Sequence, residues 1–361
     1  MTRPQGPFSD PYRGRTDFNQ ITISAIGSKD APFPRPVLLT TYDERHETPL
    51  TYNWNLTLER EFFPEWLARM AYVGSSSMYG RITKQLNPAL PSAAGFSDAR
   101  RLFAPELGNI EYFDQDRRAN YHSMQLSMTK RFSQNYTVLA NYTWARGMGN
   151  YFGETQVSGS TYGEVVPWNI PDADLLMYGP MEFDHRHRVV ASWVWDLPKM
   201  NTDRGALKKL LHGWQLSGVG QYQTGAPYNV RSGRDNSGTG RNNDRARLTG
   251  TGPEPVGGSD KRVWFNPAAF AVNIPGTFGS IGTGAFYGPH LCSFDMGFFK
   301  NTQITEGVSV QFRAEMFNIF NQTNFDNPSS NLSGADFGRI VQTNRIAGDP
   351  RIIQFGLKIL F

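Results

Sequence analysis

Hydrophobic and polar residues alternate with a period of two along most of this chain, the period of strands whose two faces meet different surroundings. In residues 52–59 (YNWNLTLE), Tyr52, Trp54, Leu56 and Leu58 share one face, and Asn53, Asn55, Thr57 and Glu59 share the other. After a tight connection at Phe63, Pro64 and Glu65, the apolar face continues through Trp66, Ala68, Met70 and Tyr72. The pattern returns over residues 121–132 and 136–144, joined by Ser133, Gln134 and Asn135, and again over 188–197 and 214–224. It returns once more over 293–304 and 308–320, joined by Thr305, Glu306 and Gly307. The last run is 351–361, with Ile353, Phe355, Leu357, Ile359 and Phe361 on one side. Nine strands are predicted, with a weaker tenth at residues 20–26. Helical periodicity is nearly absent; the one candidate, residues 204–211, makes a single short apolar side from Leu207, Leu210 and Leu211.

A slip of one residue in a hairpin would bring opposite faces together, so register tests the assignment. A tight turn at Glu306 sets Phe298 opposite Ala314, Met296 opposite Met316 and Phe294 opposite Asn318, with Arg313 and Glu315 facing Phe299 and Gly297. A tight turn at Gln134 sets Leu126 opposite Tyr142 and Met124 opposite Trp144. In both hairpins apolar residues largely meet apolar residues.

The connections alternate in length: short near residue 64, long over 75–118, short at 134, long over 146–187. A medium link at 198–212 follows, then long over 225–291, short at 306 and long over 321–349. Outer-membrane β-barrels have short periplasmic turns and long extracellular loops, on strands that alternate apolar-out and polar-in. Tyr52, Trp54, Tyr72, Tyr142, Trp144, Trp193, Trp195 and Tyr222 fall near strand ends, where aromatic girdles lie. The expected fold is all-β, an antiparallel transmembrane β-barrel. Arg69, Gln125, Arg131, Gln221, Gln223, Arg313 and Glu315 then face the lumen.

Composition narrows the alternatives. The 361 residues carry 36 Lys+Arg and 32 Asp+Glu, a net charge of +4 spread along the chain, which gives no footprint for a nucleic-acid partner. No apolar run approaches the roughly 18 residues of a transmembrane helix. The single cysteine, Cys292, excludes an internal disulfide framework and Cys-based zinc clusters. The 25 Phe, 15 Tyr and 8 Trp are too many aromatics for a disordered chain. The first residues show no apolar signal-peptide core and no cleavage site.

Several segments resemble the Oar-like TonB-dependent outer-membrane receptors. They are residues 48–60 (TPLTYNWNLTLER), 121–132 (YHSMQLSMTKRF), 141–146 (NYTWAR), 183–190 (FDHRHRVV) and 264–270 (WFNPAAF), and the most specific is 312–325 (FRAEMFNIFNQTNF). The resemblance covers roughly residues 45–361, in the family's order. It implies the C-terminal part of a transporter barrel of about 22 strands, partial and open in this chain, in the outer membrane of a Gram-negative bacterium. It implies partners too: outer-membrane lipid and lipopolysaccharide, the TonB system acting through a plug domain not seen in this sequence, and an unknown transported ligand. Nine strands do not make the even-numbered barrel of a single bacterial chain, so the sequence is expected to be a piece of a longer one. Residues 1–48 read as an extracellular-loop-like segment with room for one weak strand, and 49–361 as barrel. Phe361, a terminal aromatic on an alternating last strand, resembles the signal read by the barrel assembly machinery.

Candidate chemistry is sparse. The run Asp184-His185-Arg186-His187 places two imidazoles on one strand face, but zinc needs three or four converging ligands and arginines are poor neighbours for a cation. His46, His122, His212 and His290 are scattered and suggest no triad, and there is no Gly-x-Ser-x-Gly elbow. Gly238-Thr239-Gly240 and Gly282-Thr283-Gly284 neither follow a buried strand nor open a helix, as a phosphate loop requires; positive φ in a long loop explains them more simply. Asp114, Asp116, Glu59 and Glu61 could be paired for glycoside hydrolysis only if two of them lay about 5–10 Å apart across a sugar. No catalytic, cofactor-binding or metal-binding residue is assigned. The dense basic patch Arg231, Arg234, Arg241, Arg245 and Arg247, in the longest predicted loop, is the candidate for ligand capture, against the plainer reading of a solvated loop meeting lipopolysaccharide.

Two rivals remain at this level. A complete small barrel, serving as porin or adhesin, would use residues 20–26 as a tenth strand. A secreted all-β carbohydrate-active enzyme would bury its apolar strand faces between sheets and converge two carboxylates.

Overall fold

The computed structural model describes residues 37–44, 47–104, 107–150, 177–198, 211–240, 244–253, 262–344 and 347–361. Its strands are β1 (Val37–Tyr42), β2 (Leu50–Phe63), β3 (Trp66–Gln85), β4 (Leu107–Ser133), β5 (Tyr136–Gly149), β6 (Gly179–Pro180), β7 (His187–Asp196) and β8 (Trp214–Gln223). Then come β9 (Pro227–Tyr228), β10 (Arg247–Leu248), β11 (Phe270–Ala271), β12 (Phe286–Tyr287), β13 (Leu291–Gln303), β14 (Ser309–Phe317) and β15 (Ile352–Leu360). Nine long strands form one antiparallel meander in the order β15-β14-β13-β8-β7-β5-β4-β3-β2. These are the nine expected from the alternation. Short β6 adds to β5, and β1 lies parallel to the outer part of β4. β2 and β15 have no partner on their outer edges among the described residues, so the sheet is an open part of a barrel. No helix is long and apolar enough to cross a membrane among the described residues.

Two neighbouring rows across the sheet carry the physical argument. Leu58, Met70, Leu126, Tyr142, Val189, Tyr222 and Cys292 stand side by side from β2 to β13. One residue further along each chain lies the row Glu59, Arg69, Ser127, Asn141, Val190, Gln221 and Ser293. The first row is apolar and the second, Val190 apart, polar. The apolar row is nevertheless open to the surroundings: Leu58 is 65% exposed, and Phe355 on β15 reaches 72%. Water cannot be the solvent of such a face, because contiguous apolar area on this scale aggregates. The order is that of a strand whose outer face meets lipid and whose inner face lines a polar lumen. Arg69, Gln125, Arg131, Gln221, Gln223, Arg313 and Glu315 all have the polar parity.

Both hairpin registers are as the pattern required: Met296 pairs Met316, Phe298 pairs Ala314, Met124 pairs Trp144 and Leu126 pairs Tyr142. Phe294 and Asn318 depart from it. The ladder ends at Met296 and Met316; Asn318 takes φ +49°, its N–H donates to Asp295 Oδ1 (2.8 Å), and the Ile319 N–H donates to the Phe294 carbonyl (2.9 Å). A polar side chain next to the ladder competes for the backbone donor there and turns the chain away. The short turns sit at one end. Gln134 and Asn135 both have positive φ, as a two-residue hairpin demands.

One connection was misjudged. Of the long connection expected over 75–118, most is strand: β3 runs on to Gln85, and β4 begins at Leu107. Beyond the membrane both faces of this hairpin meet water, so its sequence loses the apolar–polar alternation that marks strands. Paired backbones and ions hold it instead: Lys84 Nζ lies 2.5 Å from Asp114 Oδ2 and 3.0 Å from Asp116 Oδ2. The weak strand at 20–26 lies outside the described residues, as does all but Leu211 of the helical candidate at 204–211.

The hydrophobic core is not in the sheet. Tyr228, Val230, Ala246, Phe265, Ala269, Phe270 and Ile281 are buried together in the long connection between β8 and β13, with Trp264, Phe286, Leu332 and Phe337 packed against them. The aromatic rings meet edge to face: Phe265 lies 5.0 Å from Phe270 and 5.0 Å from Phe337, and Phe270 lies 5.3 Å from Phe286. Strand pairs β9–β12 and β10–β11 brace this cap. The segment 264–270 builds its centre, where Asn266 caps the 3-10 turn Pro267–Ala269 by accepting the Ala268 N–H (3.1 Å).

Candidate ligand-binding site in the long connections

The cap is tied to the sheet by a buried carboxylate. Asp184 accepts the Gly147 N–H (2.7 Å), the Tyr287 hydroxyl (2.8 Å) and Arg146 Nη1 (3.3 Å), and Arg146 also donates to the Tyr287 oxygen (2.9 Å). Its neighbours in the Asp-His-Arg-His run go elsewhere. His185 meets the Thr224 carbonyl through Nδ1 (2.7 Å), and His187 meets the Tyr142 hydroxyl through Nδ1 (2.9 Å). The two imidazoles are thus occupied by separate partners. Among the described residues, no group of three or more His, Cys, Asp or Glu side chains is placed to hold a metal ion.

The acidic residues considered for hydrolysis are engaged in local pairs. Asp114 and Asp116 share Lys84, Asp116 also meets Arg118 (2.9 Å), Glu59 meets Arg69 across the strands (3.4 Å), and Glu61 accepts the Glu65 N–H (3.1 Å). Of the glycines read as loop conformers, Gly238, Gly240 and Gly284 have positive φ. In the second Gly-Thr-Gly run the Gly284 N–H donates to Asn229 Oδ1 (2.6 Å) and Thr283 accepts from Arg245 (3.0 Å), so its polar groups serve the cap.

The described arginines of the basic patch do not act together. Arg231, Arg234 and Arg247 are exposed. Arg245 is buried, 4% exposed, and its guanidinium holds the Gly282 carbonyl (3.3 Å) and Thr283 Oγ1 (3.0 Å). Arg247 Nε donates to the Val272 carbonyl (3.2 Å). Arg241 lies outside the described residues. Arg231 lines a substantial cavity. That cavity, about 590 Å³, lies where the β8–β13 connection meets the β14–β15 connection, and Glu182, Tyr228, Asn229, Arg231, Asn327 and Asn331 line it. The two connections are stitched at this point by the Arg231 N–H on the Ser330 carbonyl (3.0 Å) and the Leu332 N–H on the Arg231 carbonyl (2.9 Å). The wall is thus braced by backbone hydrogen bonds, and it carries one acid, one base and several amide groups. Such a lining suits a polar ligand held by hydrogen bonds.

Burial raises the phenol of Tyr228 well above its ordinary range, a hydrogen bond from Trp264 partly offsetting it. Burial, reinforced by the hydrogen bond to Asp184, likewise raises Tyr287. Both remain neutral donors or acceptors at physiological pH.

Sequence reasoning missed the cap and therefore the cavity. The signal was present in Phe265, Ala269, Phe270 and Ile281, apolar residues too many for a solvated loop, but their spacing follows neither strand nor helix period. A second, apolar groove of about 610 Å³, lined by Leu58, Met70, Leu126, Met128 and Tyr142, lies on the outer face of the sheet, where lipid acyl chains belong.

The family model for an outer membrane beta barrel domain matches residues 2–354. No curated protein matches the chain in sequence. Among solved structures it is similar to the outer membrane transporter YddB from Escherichia coli, with TM-score 0.45, 11% identity, and coverage of 90% of this chain and 34% of that one. It is similar to the FrpB iron transporter from Neisseria meningitidis, with TM-score 0.41, 10% identity, and coverage of 89% and 32%. It is also similar to the pyoverdine outer membrane receptor FpvA from Pseudomonas aeruginosa PAO1, with TM-score 0.38, 12% identity, and coverage of 87% and 30%. The chain spans about a third of the length of these structures.

Proposed function

The chain belongs to the outer membrane beta barrel domain family, and on that premise we propose that it is the C-terminal part of the barrel of an Oar-like TonB-dependent receptor, taking up a ligand across the outer membrane. Further strands would close the sheet between β2 and β15, and a plug would fill the lumen and couple the receptor to TonB. The nine strands would hold that plug by their polar face and lipid by their apolar face. The long connections would present the ligand site. This is a binding and transport role with no catalytic step and no cofactor. In this reading Phe361, on the apolar parity of β15 and fully exposed, would serve the barrel assembly machinery.

The observation that carries the proposal is the pairing of a lipid-facing sheet with a packed, polar-walled cap at its long-loop end. A pore that only conducts needs no folded cap with a cavity of its own. Arg231 is the member of the basic patch that would capture ligand, and Arg245 would support the wall.

The test is a binding screen on the receptor in detergent, using ferric chelates, vitamin B12, oligosaccharides and peptides as probes. Calorimetry on the wild-type and Arg231→Ala proteins would be followed by uptake in cells with and without TonB. The expected result is one class that binds, loses about tenfold or more in Arg231→Ala, and enters only when TonB is present. Steady ion conductance in planar bilayers with no class bound would overturn the proposal in favour of a porin.

A further inference from the structure

The connection after β9 reads Asp235-Asn236-Ser237-Gly238-Thr239-Gly240, with oxygen-bearing side chains at its first, third and fifth positions and glycine at its sixth. Calcium loops use that spacing because alternate side chains of a tight turn converge, and the glycine permits the turn. Here the Asp235 carboxylate accepts the N–H groups of Thr239 (3.0 Å) and Gly240 (2.7 Å), and Gly240 takes φ +89°. Ser237 Oγ lies 3.0 Å from Asp235 Oδ1 and 2.9 Å from Thr239 Oγ1. A turn of this kind alone is common and needs no ion.

The neighbouring pair Asp244 and Asn273 changes the picture. Asp244 is 3% exposed and Asn273 is 1% exposed. Oδ2 of Asp244 accepts both the Ser237 N–H (2.6 Å) and Asn273 Nδ2 (2.9 Å), and Asn273 Nδ2 also donates to the Thr277 carbonyl. Oδ1 of Asp244 and Oδ1 of Asn273 are then buried with no hydrogen-bond partner. The amide cannot be turned to cure this, because its nitrogen already serves two acceptors. Ser237 joins the halves, its N–H on Asp244 and its hydroxyl on Asp235, so the orphaned oxygens belong to the same cluster.

A buried carboxylate oxygen left without a donor or a cation is costly. Arg245 turns to Gly282 and Thr283, and Arg100 donates to the carbonyls of Gly95 and Gly238 (3.1 Å to the latter).

We propose that Asp235, Ser237, Thr239, Asp244 and Asn273 form a calcium site that fastens the cap. The donors are all oxygen, which excludes zinc, and their irregular mixture of carboxylate, hydroxyl and amide suits calcium rather than the strict octahedron of magnesium. The ion would join the 235–240 turn and Asp244 to the 273–277 turn. The Ser92 N–H on the Ser237 carbonyl (2.8 Å) carries the same clamp to the β3–β4 connection. The site is separate from the Arg231 cavity and does not depend on which ligand that cavity takes.

The experiment is calorimetric titration of the full chain, folded in detergent and stripped with EGTA, against calcium chloride, with magnesium chloride as comparison. The expected result is one calcium per chain in the range of extracellular modules, about 10⁻⁴–10⁻³ M, with magnesium at least tenfold weaker. Asp244→Asn and Asp235→Asn should each weaken calcium at least tenfold. Limited proteolysis supplies a second readout: calcium should slow cleavage of the wild-type cap relative to EGTA and leave Asp244→Asn unaffected. No calcium uptake by the wild-type chain, or uptake that neither substitution weakens, overturns the proposal and leaves the buried oxygens to water.

Discussion

The indole of Trp54 lies over Gly74, its direct partner on the neighbouring strand, and fills the space a side chain there would need. Trp193 covers Gly218 in the same way on the other half of the sheet. Both pairs lie on the apolar face, where a bare glycine would expose backbone to lipid and an aromatic ring covers it. Gly74→Ala and Gly218→Ala should therefore each displace a tryptophan and cost about 1–3 kcal/mol. Urea unfolding of the chain in lipid vesicles measures this. Trp54→Ala should cancel part of the Gly74→Ala cost, because the two act on one volume; additive losses would show that the ring is not seated there.

The two rows of the sheet predict a sharp contrast between adjacent residues. Leu126→Arg puts a charge on the lipid face near mid-strand and should cost about 2–4 kcal/mol. Ser127→Arg, one position along and on the polar face, should be nearly neutral. Equal losses in vesicle unfolding would mean that the lumen and lipid faces are misassigned.

Lys130 stands on the apolar face yet is only 2% exposed. Its ammonium folds over the turn, donating to the Ser133 carbonyl (2.9 Å), the Ser133 hydroxyl (2.8 Å) and the Tyr136 carbonyl (3.3 Å), and lies 3.8 Å from the Tyr136 ring centre. A charge on a lipid face near the strand end survives by reaching polar groups in this way. Lys130→Met keeps the length but strands those acceptors, and should cost about 1–3 kcal/mol. A midpoint in urea identical to wild type would refute the cap.

Tyr228 and Tyr287 carry raised pKa values in the folded cap. A raised folded value means that the neutral form is favoured by folding. The stability tied to it is complete below the ordinary phenol pKa of about 10 and is lost as pH climbs through the folded values. The cap should therefore loosen above about pH 10, with two tyrosines ionising later than the exposed ones in absorbance at 295 nm. Tyr287→Phe should remove one late transition; a single common transition for all tyrosines would contradict the buried environment.

The strands were legible because a membrane barrel writes its two solvents into every second residue. Leu56 and Thr57, or Phe298 and Phe299 against Ala314 and Arg313, tell face and register without coordinates. Legibility failed where the solvent was the same on both sides. Above the membrane, the β3–β4 hairpin has water on both faces, and Ser75, Ser76 and Ser77 look like loop residues although they are paired strand.

The candidate site was legible only in part. Arg231, Arg234, Arg245 and Arg247 are close in sequence and similar in chemistry, which is all that a sequence displays of them. Arg231 and Arg245 pair across an antiparallel bridge, with the Ser232 N–H on the Asp244 carbonyl (2.8 Å), yet Arg245 ends inside the cap and Arg231 beside a cavity. The orphaned oxygens of Asp244 and Asn273 come from residues 29 apart, and no local spacing announces such a meeting.

By itself, then, the sequence determined the all-β meander, its nine membrane strands, the register of two hairpins and which face meets lipid, since period-two alternation is a local property that each strand carries alone. The tertiary structure decided that the long connections pack into a cap with its own aromatic core, that Arg231 lines a cavity while Arg245 is buried in the cap, and that Asp235, Asp244 and Asn273 share a site. Those outcomes depend on contacts between distant segments with no regular period, and such contacts exist only once the chain has folded.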